Sequence, residues 1–502
     1  MIMKNKENSI RKLVVCLLLC SMLTAAFVSC GGEETPAETA GSGTEETAVQ
    51  KTETEAPPNI TDQKFSGEDF NIAYMTGGSY GMGNEVDYTF EESQASAITA
   101  SVYERNSLTE EYLDININGT FIDPAGGNFN NTIVNLVQAG DAQYDAICNY
   151  LRYNYQLVQQ QALLNLREID SLCLDNAWWD QSINELFSFG GTRQFFATGD
   201  ICFDDDCTTP IMLFSKKLHQ DNGIAEPYEN IQNGTWTLDT MSKNMTSAYQ
   251  DLNGDGVMDK NDSYGFGTGV GGYLELMVSC DALTTAIDDK GYPQFAYTYN
   301  SEKMVNAFDT IFNKLIINPA VLVTEYDLAS DYTGIRNMFA NNQFMYFAQA
   351  IGSLQSLRDQ MDDGFGAILY PKLDEKQEQY YSYGSMWAST YALPATSENP
   401  EQTGAILNTM GYYSIDTMKE TVIQNVVLSR NLRDEQSEEM VRIAIDNKIY
   451  DVGYALGLAD CHTVVYNIVS KETMTFVSDM EALQPKFETA VAALIDAYGG
   501  VQ

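Results

Sequence analysis

YDAICNY, residues 144–150, is the stretch from which the fold is read. A polar entry, Tyr144 and Asp145, gives way to the short apolar run Ala146-Ile147-Cys148, the pattern of a buried strand. Upstream, Asn131 to Ala139 has amphipathic spacing and stops at Gly140, which predicts a helix closed by a left-handed residue. Before that, Leu113 to Ile117 alternates as a strand. Ile98, Val102, Tyr103 and Leu108 share one helical face, with Glu110 and Glu111 outside it. Glu68 to Met75 reads as the first strand. Strand and helix alternating in this way predict a parallel sheet with right-handed crossovers. Ligands of such sheets sit beyond the C-terminal strand ends. Asn149, Tyr150 and the glycine-rich loop Thr76–Gly83 are therefore candidate cleft residues.

The pattern continues downstream. Arg193 to Gly199 reads as a strand and Asp204-Asp205-Asp206 as a charged turn. Ile211 to Ser215 is a strand running into a helix at Lys216 to Gln220. Thr235-Trp-Thr-Leu-Asp-Thr240 opens another helix.

That helix leads to DLNGDGVMDKND, residues 251–262, which matches a twelve-residue calcium loop. Asp251, Asn253 and Asp255 stand at positions 1, 3 and 5. Gly256 stands at the sharp turn, Val257 offers its carbonyl at 7, and Asp259 and Asp262 stand at 9 and 12. A hard cation takes six to eight oxygens, and alternate residues of such a loop aim theirs at one centre. Position 12 is Asp where an EF-hand has Glu, a shorter arm of the dockerin type. Calcium in a structural role is the expected cofactor.

The 502 residues exceed one ordinary core and suit two lobes. The formal charge of −42 opposes a phosphate backbone and excludes nucleic acid as a partner. Lys4 to Lys12 is basic, and Leu13 to Val28 is an apolar run too short to span a bilayer. It ends at Phe27-Val28-Ser29-Cys30, which resembles a bacterial lipobox, with Phe27 where Leu is usual. Residues 1–30 are expected to be a lipoprotein signal peptide and Cys30 the lipidated residue. Residues 31–64, rich in Glu, Thr, Ala, Gly and Pro, are expected to be a disordered acidic tether. The chain is then expected at the outer face of the cell membrane, held by its lipid alone. Six cysteines remain outside the leader: Cys148, Cys173, Cys202, Cys207, Cys280 and Cys461. They allow fifteen pairings, of which Cys202 with Cys207 is the simplest across a turn.

The order of these features resembles a known family. YDAIC after a Gly-Asp turn, FSKKLHQDNG into NGTWTLDTM, the loop and YGFG, and later FGAILYPKLDEKQEQYYSYGSMWASTYALP are similar to the extracellular, family 1-like solute-binding proteins of bacterial ABC importers, in their sugar-binding branch. The resemblance covers about residues 65–490. It implies an α/β, periplasmic-binding-protein-like fold of two lobes with crossing strands and a C-terminal helical region. Lobe 1 is expected over 65–206 with part of 376–400, lobe 2 over 207–375, and C-terminal helices over 400–502. It implies crossings at Phe195–Asp206 and Phe365–Leu393. It adds Asp205 at the first crossing as an acceptor, Trp387 as a stacking surface and Gln349 as a polar contact to the ligand candidates Asn149 and Tyr150. The implied function is capture of a small solute, a sugar above all, by a monomer that delivers it to a membrane permease.

An enzyme needs a constellation, and none is legible. His219 and His462 are the only histidines. His219 on a lysine-rich helix is expected to be solvated, and His462 adjoins Cys461, where neighbouring side chains diverge. HExxH and phosphate-loop motifs are missing. The alternative is a surface glycan-active lipoprotein, hydrolase or lyase, using a carboxylate pair. A dockerin-like adhesion module would need a second DxNxDG, which the chain lacks.

Overall fold

The structure, a computed structural model, describes residues 60–75, 97–123, 125–354, 357, 360, 361, 364–419, 421 and 435–499. The signal peptide, Cys30, most of the tether and the loop Thr76–Gly83 lie outside the described residues. No helix among the described residues is long and apolar enough to cross a membrane.

Lobe 1 is built on β1 (Glu68–Tyr74), β2 (Ile115–Phe121), β3 (Ala146–Tyr150) and β12 (Ser389–Ala392), in the order β12-β3-β1-β2. β1 runs parallel to β2 and β3, with Ile72 opposite Gly119 and Ala146. Successive side chains of a strand point to opposite faces, and both faces of β1 are covered. Phe70 and Ile72 enter the core shared with Leu407 and Met410 of the helix Pro400–Ser414. Ala73 and Met75 enter the other, with Phe129 and Ile133 of the helix Asn128–Ala139. Gly140 caps that helix at φ 69°, which costs little without a Cβ. Residues 60–64, expected in the tether, belong to the body. Ile60 packs on this core, Phe65 is buried, and its N–H donates to the Leu113 carbonyl at 2.8 Å.

Lobe 2 holds the sheet β10-β4-β9-β5-β8. Its strands are β4 (Pro210–Ser215), β5 (Tyr264–Thr268), β8 (Val321–Val323), β9 (Phe344–Ala350) and β10 (Phe365–Ile368). β5 is parallel to β8 and β9, while β4 is antiparallel to β9 and β10. A hairpin, β6 (Thr285–Ile287) and β7 (Pro293–Phe295), lies apart.

The chain passes from lobe 1 to lobe 2 through residues 200–209 and returns through 369–388. The 400–502 region is not purely helical. β13 (Lys448–Ile449) pairs in parallel with β11 (Ser382–Tyr383) beside that return. The helices divide between lobes: Pro400–Ser414 packs on lobe 1, and Glu435–Asp446 packs on β10 and β4 of lobe 2. Phe476–Ala497 packs on β7, on Leu458–Asp460 and on Tyr297–Ile311, where Phe308 and Phe476 stack at 4.2 Å.

Four local expectations are corrected. Arg193–Gly199 is not a full strand; it makes single bridges, Ala197 to Tyr391 and Gly199 to Trp179. Asp204–Asp206 lie within the short helix Phe203–Cys207 rather than in a turn. Cys202 caps that helix and Cys207 ends it, so a rise of about 1.5 Å per residue holds them too far apart for a disulfide. His219 is buried, not solvated: its ring packs on Phe214 and Tyr346, Nδ1 meets the Ser215 carbonyl at 2.9 Å and Nε2 meets the Tyr346 hydroxyl at 3.2 Å. Burial pushes its pKa down, so the neutral ring is favoured.

Candidate functional site

The C-terminal ends of β5, β8 and β9 open onto one cavity of about 470 Å³. Its floor is Thr268 to Gly272 after β5, Thr324 and Glu325 after β8, and Ala348 to Ala350 at the end of β9. The returning crossing adds Tyr383, Ser385, Met386 and Trp387, and the helix His462–Lys471 adds Tyr466. Glycine at 269 and 272 lets the loop approach its neighbours: a Cβ on Gly272 would meet Thr268 Oγ1 at 2.1 Å. On lobe 1, residues 76–96 leave the C-terminal end of β1 and lie outside the described residues.

Gln349 and Trp387, far apart in sequence, both line this cavity. Gln349 sits inside β9, opposite Ile211, rather than in a connection after a strand. Trp387 is partly exposed and leans edge-on against Tyr150 and Tyr153, with centroids at 5.6 and 6.0 Å. Tyr150 itself is buried behind the indole, at the N-cap of the helix Leu151–Gln159. Asn149 is turned inward. Its amide donates to Asn130 at 3.0 Å and its side-chain oxygen accepts from the Tyr150 N–H at 2.8 Å.

Asp205 is also drawn away from that cavity. Lys448 Nζ lies 3.0 Å from Asp205, 3.3 Å from Asp206 and 3.7 Å from Asp180, and the Tyr450 hydroxyl donates to Asp205 at 2.9 Å. Burial pushes the Asp205 carboxyl up, against the pull of Lys448. Asp204 accepts from Ser389 of β12 at 3.0 Å. These aspartates fasten the crossing segments to lobe 1, and Lys448 is the signal that sequence reading lacked.

Three further cavity residues are new. Glu275 accepts from the Tyr370 hydroxyl, and burial pushes its carboxyl up to about 7. Glu325 accepts from the Val270 N–H at 2.8 Å and the Tyr332 hydroxyl at 2.5 Å. Arg336, on the helix Tyr332–Ala340, is half-buried. The glycine-rich run at 269–272 directly after a strand was the one sequence signal for this corner.

The loop Asp251–Asp262 lies at the other end of β5. A bridge between Gln250 and Ser263 closes it, and Gln343 donates to the Lys260 and Asp262 carbonyls at 2.8 Å. Asp251 accepts from the Gly254 and Gly256 N–H groups at 2.6 and 2.8 Å, which holds its carboxyl low. Gly256 has φ 80°, the left-handed turn required at position 6. Asp262 is wholly buried and accepts from Leu252 and Asp259 N–H groups. Among the described residues no three His, Cys, Asp or Glu side chains converge closely enough to hold a metal ion. A cavity of about 600 Å³ flanks this loop, but lobe 2 and residues 469–472 line it with no residue of either crossing segment.

Solved structures match the fold along most of its length. A family 1 extracellular solute-binding protein from Bifidobacterium longum subsp. infantis matches with TM-score 0.55 and 13% identity, over 85% of this chain and 100% of that one. The galacto-N-biose-/lacto-N-biose I-binding protein of the Bifidobacterium longum ABC transporter, in complex with lacto-N-biose, gives 0.54 and 9%, over 88% and 100%. An ABC substrate-binding protein from Listeria monocytogenes in complex with cycloalternan gives 0.53 and 12%, over 87% and 100%. No protein-family model and no curated protein matches the sequence. The chain has the two-lobe α/β fold of extracellular solute-binding proteins.

Proposed function

We propose that the chain is a lipid-anchored solute-binding protein that captures a saccharide between its lobes and delivers it to the permease of an ABC importer. The observation that carries this is the convergence of Trp387 and Gln349, from a crossing segment and a strand end, on one cavity beside Tyr150. A partly exposed indole offers a flat face for the C–H side of a sugar ring, and Gln349 offers both a donor and an acceptor for hydroxyls. The neighbours in complex with lacto-N-biose and cycloalternan support the ligand class. Ligand touching both lobes favours the closed form, and that population is what a permease reads. The protein acts as a monomer, anchored through Cys30 at the outer face of the membrane; Cys30→Ser would release it from the membrane fraction.

Calcium in the loop Asp251–Asp262 is part of the same reading, as a staple for lobe 2. The ligand spacing, the left-handed Gly256 and the buried Asp262 support it. A thermal-shift screen of the Cys30→Ser chain against sugars, amino acids and polyamines tests the function. Stabilisation follows RT ln(1+[L]/Kd). A shift with sugars only is expected; a shift only with polyamines would overturn the ligand class. A sugar turned over to product would establish instead the glycan-active reading, for which Glu275 and Glu325 share the cavity.

A further inference from the structure

Among the described residues Arg336 makes no ion pair, and its Nε is buried without a hydrogen-bond partner. This occurs in a chain with 28 Lys and Arg against 70 Asp and Glu. Other arginines in the body have a partner on at least one nitrogen: Arg442 with Glu438 at 3.0 Å, Arg167 with Asp175 at 3.7 Å, and Arg193 with the Tyr498 carbonyl at 3.0 Å, although the Arg167 Nε is likewise buried without one. The two acids of the cavity are served from elsewhere, Glu275 by Tyr370 and Glu325 by Val270 and Tyr332. Arg336 is therefore a cation of the cavity left for an acceptor on the ligand to meet.

A guanidinium fork matches a carboxylate in two parallel hydrogen bonds, and such bonds are about twice as strong as neutral ones. A buried donor left unmet costs the fold its desolvation, so a ligand that satisfies it gains on both counts. Burial draws the Arg336 pKa down. Trp387 lines the same cavity and presents an apolar face. We propose that the captured saccharide carries a uronic acid, its ring against Trp387 and its carboxylate on Arg336. This rests on the carbohydrate reading above and narrows it, against the bulk acidity of the surface.

The test is calorimetric titration of the Cys30→Ser chain with matched disaccharides that differ only at C6: glucuronate, galacturonate and mannuronate forms against their neutral counterparts. At least one uronate is expected to bind about 10- to 100-fold more tightly than its neutral partner. Arg336→Met is expected to erase that preference, and Arg336→Lys to keep part of it. Equal affinity within every pair, unchanged in Arg336→Met, would overturn the acidic ligand and leave sugar capture standing. Binding by none of the six would overturn the carbohydrate reading, and this inference with it. Should Arg336→Met unfold, salt decides: uronate affinity falls with ionic strength if Arg336 reads the charge and stays level if it does not.

Discussion

Tyr150 and Trp387 meet edge to face, with ring centroids 5.6 Å apart and planes at 80°. One ends β3 of lobe 1; the other sits in the segment returning from lobe 2. The contact fixes the indole at the seam, with one face toward the cavity. Trp387→Ala should weaken saccharide binding about tenfold or more, with a small change in unliganded melting temperature. Tyr150→Ala should weaken binding less, by loosening the indole. Titration calorimetry beside melting curves separates the two effects.

Lys448 is the cation that Asp180, Asp205 and Asp206 share. Lys448→Met leaves the buried Asp205 and the partly exposed Asp180 and Asp206 without their shared cation and should cost about 3–5 kcal/mol at pH 8. The loss should shrink near pH 5.5, because burial already favours a proton on Asp205. Denaturant unfolding of both proteins at the two pH values checks this.

Glu275 makes the fold sensitive to pH in a definite direction. Its carboxyl rises from the ordinary 4.5 to about 7, burial being the cause. The folded state therefore binds a proton more tightly than the unfolded one. Its contribution to stability is full below about pH 4.5 and is lost as pH climbs through about 7. Glu275→Gln should flatten that part of the melting-temperature profile relative to the parent.

Chelation should lower the melting temperature by several degrees, since a ligand at a hundredfold excess over its Kd stabilises by about 2.7 kcal/mol. Affinity for saccharide per folded molecule should stay level, because the loop lies at the end of β5 opposite the cavity. Loss of binding in a chelated protein that remains folded would place the loop in the site.

Local features were legible where local physics decides them. The strands Glu68–Tyr74 and Ala146–Tyr150 and the helix stop at Gly140 follow from hydrophobic runs and one left-handed residue. Gln349 and Trp387, which line one cavity, were singled out through the order of motifs, not through spacing. Asn149 and Asp205 are engaged by partners that the sequence did not show, for one reason. A side chain at a strand end or a crossing is available to a ligand only if nothing nearer claims it, and Asn130 and Lys448 lie 19 and 243 positions away. His219 was misjudged because its lysine neighbours are visible in sequence, whereas Tyr346 arrives from β9. Arg336 carried no signal at all; its significance is the lack of a partner among the described residues, which only the assembled cavity reveals.

The most direct measurement is intrinsic fluorescence. The chain has four tryptophans; Trp178, Trp179 and Trp236 are buried, and Trp387 alone is partly exposed in the cavity. Saccharide added to the Cys30→Ser chain should give a saturable change in emission that disappears in Trp387→Phe. A saccharide that binds by calorimetry, yet leaves Trp387 emission unchanged and binds Trp387→Phe with undiminished affinity, would contradict capture at this cleft.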